Sequence, residues 1–505
     1  MRLSAAALAF ALSAPLAAFA ADAPGALTVT IYHTNDVHGW IMARPDKNEP
    51  ARAVGGAAAL KALIAKDAGP KLVLDAGDWW QGTPEGTISK GEAVADVFNA
   101  VGYDAVEIGN HEFDSGADSL RALIGKLNMP VLAANIYGSD GKHVAWAKQR
   151  IIRDVAGVKF GIFGLLTTKM NRLAFPKNIA GLTFRNESDE ARDQVAALKR
   201  EGADVIIALT HVGYEEPDKP RFAGDQTIAR EVPGIDLIVG GHSHTPLKTA
   251  WRDPRHGTLV VQAGSYLTRA GRTTLRIDPK TRRVTGSSDE LLDLRPEAGE
   301  DPAVKAVVAK REAEVGEVFK TVIATATAPL DRALGGGESG LGSWMADCYK
   351  DWAGADASFQ NGGGIRSDIP AGPVTLRQLF NVMPFDNWIV KLKMPGARVR
   401  SALDHGVGSP RLVQIGGMTA EFRRRNPRHE RLGAVTVGGA ALDDARTYTV
   451  ATLDFLVEGG DGYAEFGAAG QEPTGVLARD VLRSCAEKQK FIAPPAPGRL
   501  KALGD

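Results

Sequence analysis

Cysteine is nearly absent from this 505-residue chain: there are two, Cys348 and Cys485. A pair so widely separated argues against a thiolate zinc site or a cysteine nucleophile. It leaves one disulfide and two buried thiols as equal alternatives. An excess of charge of either sign is also missing. Sixty basic and sixty acidic residues cancel, so nothing suggests a surface that gathers a nucleic-acid polymer. Beyond residue 20 no apolar run is long enough to cross a bilayer, and there is no internal repeat, long low-complexity tract or sign of a partner protein. What is present is an ordinary globular composition, 44 % hydrophobic, in a length that calls for more than one domain.

Residues 1–20 differ in kind. Arg2 precedes an Ala/Leu/Phe run, and Ala18-Phe19-Ala20 then meets Ala21-Asp22. This is the layout of a cleaved secretory leader, which predicts a periplasmic or secreted protein. No cysteine lies near the cleavage site to take a lipid. There is no twin-arginine pair either, which favours export of the unfolded chain and metal loading afterwards.

From about 26 to 300 short apolar strands alternate with helical patterns. Strands are expected at 27–32, 72–74, 105–108, 131–134, 159–165, 205–209, 237–239 and 259–262, and helices at 55–66, 91–101 and 188–201. The pattern predicts a layered α/β domain. Residues 301–321 read as an isolated, charged connecting helix that starts at Asp301-Pro302, and 322–505 as a second unit.

The chemistry is concentrated where strands end. Asn35-Asp36-Val37-His38-Gly39, Asp75-Ala76-Gly77-Asp78, Gly109-Asn110-His111-Glu112-Phe113-Asp114, Thr210-His211 and Gly241-His242-Ser243-His244 each follow an apolar run. Open α/β sheets gather their sites at such ends. Carboxylates mixed with imidazoles suit divalent Zn, Mn or Co. Asp36 and His38, like His242 and His244, are two apart and share a face if the chain there is extended. Asp78 is placed to bridge two ions, the equipment of phosphate-ester hydrolysis. One such motif is usually a turn or a polar strand end; five of them, using five of the ten histidines, make a site. His33, beside the first motif, is expected only to support the structure.

These motifs resemble the metallophosphoesterase superfamily, and within it the secreted 5'-nucleotidase / UDP-sugar hydrolase family, over nearly the whole chain after the leader. The resemblance implies a four-layered α-β-β-α metal domain joined by a helix to a smaller α+β substrate-binding domain. It implies that Asp36, His38, Asp78 and His244 hold one ion, and Asp78, Asn110, His211 and His242 a second. Where His244 stands the family often has Gln or Asn. The resemblance also implies a catalytic pair, His111 acting on the phosphoryl group or the leaving oxygen and Asp114 orienting it; their spacing puts both on one side of a helical turn.

In the second unit the loop Asn361-Gly362-Gly363-Gly364-Ile365-Arg366 allows close backbone approach to a ligand, and Arg366 offers a fork of donors. The resemblance implies that Phe385 and Phe455 sandwich a nucleobase, that Asp461 contacts the ribose and that Asn361 contacts the base, with Gly363 and Gly364 in the loop. One departure stands out. The family carries an arginine just before the first helix of this domain, and 337–343 here has none. The leading expectation is a dinuclear 5'-nucleotidase, acting on nucleoside monophosphates and also on nucleotide diphosphates or UDP-sugars. The alternatives are a 2',3'-cyclic phosphodiesterase/3'-nucleotidase, against which Asp114 counts, a thiosulfohydrolase relative, and an inactive nucleotide-binding protein.

Overall fold

A computed structural model describes residues 27–504, apart from 47, 48, 50, 216–223, 334, 335, 468 and 469. The leader read at residues 1–20 lies outside the described residues.

The first domain is built on two six-stranded sheets. One runs Val284–Asp293, Arg269–Ile277, Leu27–Thr34, Lys71–Asp75, Ala105–Glu107, Val131–Leu132; the other runs Trp251–Arg252, Leu259–Val261, Leu237–Gly240, Val205–His211, Val158–Leu166, Arg150–Val155. Their central strands are parallel. Strand periodicity explains the layering, because successive side chains point to opposite faces. Ile31, Leu72 and Leu74 meet Ile162, Ile207 and Val239 of the other sheet in one buried cluster. Their neighbours Tyr32 and Val73 turn outward onto Leu60 and Phe98, from the helices Ala57–Ala65 and Glu92–Val101. On the far side Ile206 and Ala208 pack on Val195, Leu198 and Ile228, from the helices Glu187–Arg200 and Asp225–Glu231. Helix, sheet, sheet, helix: the four layers follow from near-continuous apolar strands with both faces covered.

All eight strands expected from the apolar runs are present. The edge strand Arg150–Val155 and the hairpin Arg269–Ile277/Val284–Asp293 were not foreseen. They are half-exposed and polar along one face, so they lack the continuous apolar run of a central strand.

The helix Pro302–Val315 is not isolated, contrary to its charged appearance. Asp301 caps it, accepting from the amides of Ala303 and Val304 at 3.0 and 2.9 Å. Val304 is buried, and Val307 and Val308 lie on the core of the first domain. Arg311 donates to Asp96 at 3.0 Å. Three valines along one face were hidden among the charges.

The second domain has its own core around a five-stranded sheet ordered Gln414–Gly416, Ala357–Gln360, Thr447–Leu453, Trp388–Pro395, Gly470–Leu477. Of the two open fates for the cysteines, the disulfide is the one formed. Cys348 and Cys485 join the helices Gly340–Ala353 and Ala478–Gln489 across 137 residues. Closing so long a loop restricts the unfolded chain, an effect worth about 2–5 kcal/mol. Replacing both cysteines by alanine should therefore lower the melting temperature of the second domain. An unchanged calorimetric melt, with and without reductant, would count against this tie.

Candidate metal centre and interdomain cleft

The expected ligand residues converge at the ends of the central strands of both sheets, but not by the route expected. Strand Leu27–Thr34 stops before Asp36, and strand Leu237–Gly240 stops before His242. Asp36, His38, Asp78, His242 and His244 all adopt left-handed backbone, with φ of 51°, 50°, 59°, 75° and 57°. The two-residue spacing thus works through tight loops, not an extended chain. Such conformations cost of order 1–3 kcal/mol each and persist only where the surroundings enforce them.

Here the loops enforce one another. The amides of Asp36 and His38 donate to the carbonyls of Gly77 and Asp78, both at 2.9 Å, and that of Tyr266 donates to the Asp36 carbonyl at 2.7 Å. The buried carboxylate of Glu112 gathers the amides of Asp78, Trp79 and Gly109 at 2.9, 2.8 and 2.7 Å. Gly109 has to be glycine for steric reasons: a β-carbon there would collide with the Asp78 carboxylate and amide.

Donor atoms meet in three overlapping groups: Asp36, His38 and His244; His38, Asp78 and His111; Asp78, His211 and His242. Asn110 Oδ1 lies 2.8 Å from His242 Nδ1. His33 stands apart in packing against Gly271, and burial lowers it to about 4. His111 Nδ1 and Asp114 Oδ2 are 2.8 Å apart across a single 3-10 turn, His111–Phe113. Asp114 does not cap the following helix, which starts behind Gly116.

Facing this centre, the second domain closes a cleft of about 930 Å³. Its lining takes in Asp78, Asn110, His111, Asp114, His242 and His244 from one side, and Asn361, Gly363, Gly364, Arg366, Phe385, Phe455 and Asp461 from the other. Asp36, His38 and His211 are fully buried beneath it. Arg366 crosses the cleft, its Nη2 being 2.9 Å from His38 Nε2. Phe385 lies against the His111 ring, centroids 5.7 Å apart, and Phe455 meets Phe175 edge-on at 6.0 Å. Asn361 Nδ2 donates to Asp461 at 2.6 Å.

Comparison with known proteins follows the same division. The family described as calcineurin-like phosphoesterase matches residues 29–246, and the one described as 5'-nucleotidase, C-terminal domain, matches residues 322–468. Protein UshA of Yersinia enterocolitica is 31% identical over 96% of this chain and 96% of its own. The 5'-nucleotidase of Vibrio vulnificus is 29% identical, over 95% and 93%. Among solved structures, the 5'-nucleotidase precursor of Thermus thermophilus superposes with a TM-score of 0.87 at 28% identity, covering 95% of this chain and 100% of that one.

This chain belongs to the 5'-nucleotidase family of calcineurin-like phosphoesterases.

Do the residues present in this 5'-nucleotidase family member suit a metal? His38 Nδ1 and His211 Nδ1 lie 2.8 and 2.7 Å from the carbonyls of Gln81 and Ala76, which can only accept. Each Nδ1 therefore carries a proton, and each Nε2 is turned inward toward the other donors. His38 Nε2 accepts from Arg366 Nη2 at 2.9 Å and lies 3.1 Å from His244 Nε2, while His211 Nε2 is 3.1 Å from Asp78 Oδ2 without a hydrogen bond. Burial opposes ionisation of Asp78, yet His211, His111 and His38 hold it well below the usual carboxylate range. Burial likewise opposes charge on His211, yet the Asp78 and Asp36 carboxylates push it up to about 10. Burial takes His242 down to about 3. The centre gathers carboxylates and imidazole nitrogens that call for positive charge, and a divalent cation fits this donor set. No helix among the described residues is long and apolar enough to cross a membrane.

Some residues of the site escaped sequence reasoning. Glu112 was inside a noted motif, but nothing in the spacing assigned its carboxylate to three amides. Tyr266, at φ 61°, meets His38 and His244 edge-on and donates to the Arg366 carbonyl at 3.1 Å. Arg332, which donates to Tyr266 Oη at 3.2 Å, and Arg411, in the cleft wall, lie outside any recognisable motif.

Asp78→Asn should remove most bound metal, because a neutral amide cannot meet two groups of imidazoles as a carboxylate does. Elemental analysis finding the full wild-type metal content in the variant would refute a bridging role.

Proposed function

We propose that the protein is a 5'-nucleotidase that releases phosphate from nucleoside 5'-monophosphates, and also cleaves nucleoside di- and triphosphates and UDP-sugars. The carrying observation is the cleft, with a metal-type donor set on one wall and, on the other, an arginine, two phenylalanines and an Asn–Asp pair. A phosphate ester fits the first wall and a nucleoside the second. We assign two divalent ions, Zn, Mn or Co, to Asp36, His38, Asp78 and His244, and to Asp78, Asn110, His211 and His242. When bound, such ions supply charge neutralisation and an activated water for in-line displacement at phosphorus.

The chain's own residues do the rest. His111, with Nδ1 committed to Asp114, has Nε2 free for a phosphoryl or leaving oxygen, and Asp114 fixes the ring. Arg366 meets phosphate oxygens. Phe385 and Phe455 offer π-faces to a base of any kind, and Asn361 and Asp461 meet base and ribose. We further divide the chain into a leader at 1–20, a metal domain at 26–300, a connector at 301–321 and a substrate domain at 322–505. We place it in the periplasm or outside the cell, which the leader pattern and the disulfide support.

Phosphate release from AMP, 3'-AMP, cyclic AMP and UDP-glucose, measured side by side with added metal, tests the reading. AMP should be the best of the three adenylates; turnover of 3'-AMP or cyclic AMP alone would transfer the protein to the cyclic phosphodiesterase alternative, and nucleotide binding without turnover of any substrate would make it the inactive binder.

His111→Ala should keep its metal and lose roughly 10²–10⁴ in kcat on AMP; a loss of only a few-fold would exclude it from the chemistry. Phe385→Ala or Phe455→Ala should lower kcat/KM for AMP by roughly 5- to 150-fold, and spare p-nitrophenyl phosphate, which has no base. Parallel losses on both substrates together with a lower melting temperature would reduce the two rings to core packing.

A further inference from the structure

We infer that Arg411 binds a phosphate standing between the ribose and the scissile phosphorus, so that this cleft is equipped for nucleoside diphosphates and nucleotide sugars in particular. This rests on the nucleotide reading above.

Arg411 sits on the loop between helix Gly396–Val407 and strand Gln414–Gly416, and its side chain opens into the cleft. Among the described residues none accepts a hydrogen bond from its guanidinium. Other arginines nearby are committed: Arg332 to Tyr266, Arg428 to Glu465, Arg431 to the Asp404 carbonyl. The position of Arg411 is defined by Gly363. A β-carbon added there would lie 3.8 Å from Arg411 Cδ and 3.7 Å from Asp461 Oδ2. Arg411 thus stands at the Asn361–Asp461 end of the cleft, while Arg366 reaches to His38 in the metal centre.

Charge supports a ligand here. The cleft walls and then the Arg366 guanidinium disfavour the Arg411 cation, although its side chain stays exposed to solvent. The nearest acid, Asp461, is already bonded to Asn361. Two guanidinium groups share one carboxylate, Asp461, which Asn361 also engages, so the pair carries an excess of positive charge that suits an anion. A nucleoside monophosphate has only one phosphate, which the metal centre takes. A diphosphate held by its terminal phosphate at the metals must lay its inner phosphate toward the ribose, where Arg411 is. The turn at 337–343, where the family arginine is missing, is instead occupied with capping: Ser339 Oγ accepts from the Gly342 amide at 2.8 Å.

Arg411→Gln and Arg411→Lys test this in the metal-loaded enzyme. Arg411→Gln should raise KM for ADP and UDP-glucose by roughly 10- to 100-fold, the range for a charge-assisted hydrogen bond. It should leave AMP within about 3-fold and the melting temperature unchanged. Arg411→Lys, which keeps the charge and loses the fork, should fall between. Calorimetric titration with methylene-bridged ADP should show the same weakening, while adenosine binds the variant as it binds wild type. Equal effects on AMP and ADP, or none on either, would overturn the role of Arg411 and leave the nucleotidase intact. A wild-type enzyme that turns over p-nitrophenyl phosphate but no nucleotide would remove the nucleotide reading, and this inference with it.

Discussion

Two carboxylates buried among imidazoles are the constraint on which this molecule is organised. Asp36 and Asp78 are within 2 % of full burial, where an isolated charge would be prohibitive. Backbone carbonyls accept hydrogen bonds from Nδ1 of His38 and His211 and so aim each Nε2 inward. That arrangement is unfavourable until a cation stands in it, and the protein holds it rigid. Five left-handed residues, a glycine that clears space for Asp78 and a glutamate spent on three amides all serve to keep the donors converged. Strain that would be a defect elsewhere is here the means by which ligands are held ready.

The sandwich of sheets follows from the same need. Loops can be held in strained conformations only if their anchors do not move, and both sheets deliver central strands buried on each face. Strands from two sheets end at one place, so candidate ligands 206 residues apart, such as His38 and His244, come within 3.1 Å. A single sheet could offer donors from one row of strand ends; two facing sheets bring them in from both sides.

Much of this was legible in the sequence. Apolar runs marked the central strands because full burial leaves no alternation to misread, and the ligand motifs stood out because carboxylate and imidazole cluster where the runs stop. Local conformation was not legible. Asp36 and His38 were expected to share an extended face and instead occupy a left-handed turn, which depends on hydrogen bonds to Gly77 and Asp78, far along the chain. The connector helix misled for a different reason: three valines on its inner face were outnumbered by charges, so its docking on the first domain showed only in three dimensions. Glu112, Tyr266 and Arg411 matter by position alone, and position is set by long-range packing.

The docking of that helix changes where motion between the domains has to arise. With Val304, Val307, Val308 and Arg311 fastened to the first domain, residues 302–315 cannot swing as a free spacer. The chain first loosens at Gly316, with φ of 85°, before the short turn Glu317–Lys320 leads into the second domain. Across the cleft the hydrogen bonds and ion pairs are Arg366 with His38, Tyr266 with the Arg366 carbonyl and with Arg332, and Arg377 with Glu85, beside two ring contacts, Phe385 with His111 and Phe455 with Phe175. Polar contacts exchange for water at little cost, whereas interdigitated apolar faces do not. The largely polar interface is therefore suited to opening and reclosing, and the Arg366–His38 contact is the link that would have to break first for the metal-type donors to be uncovered.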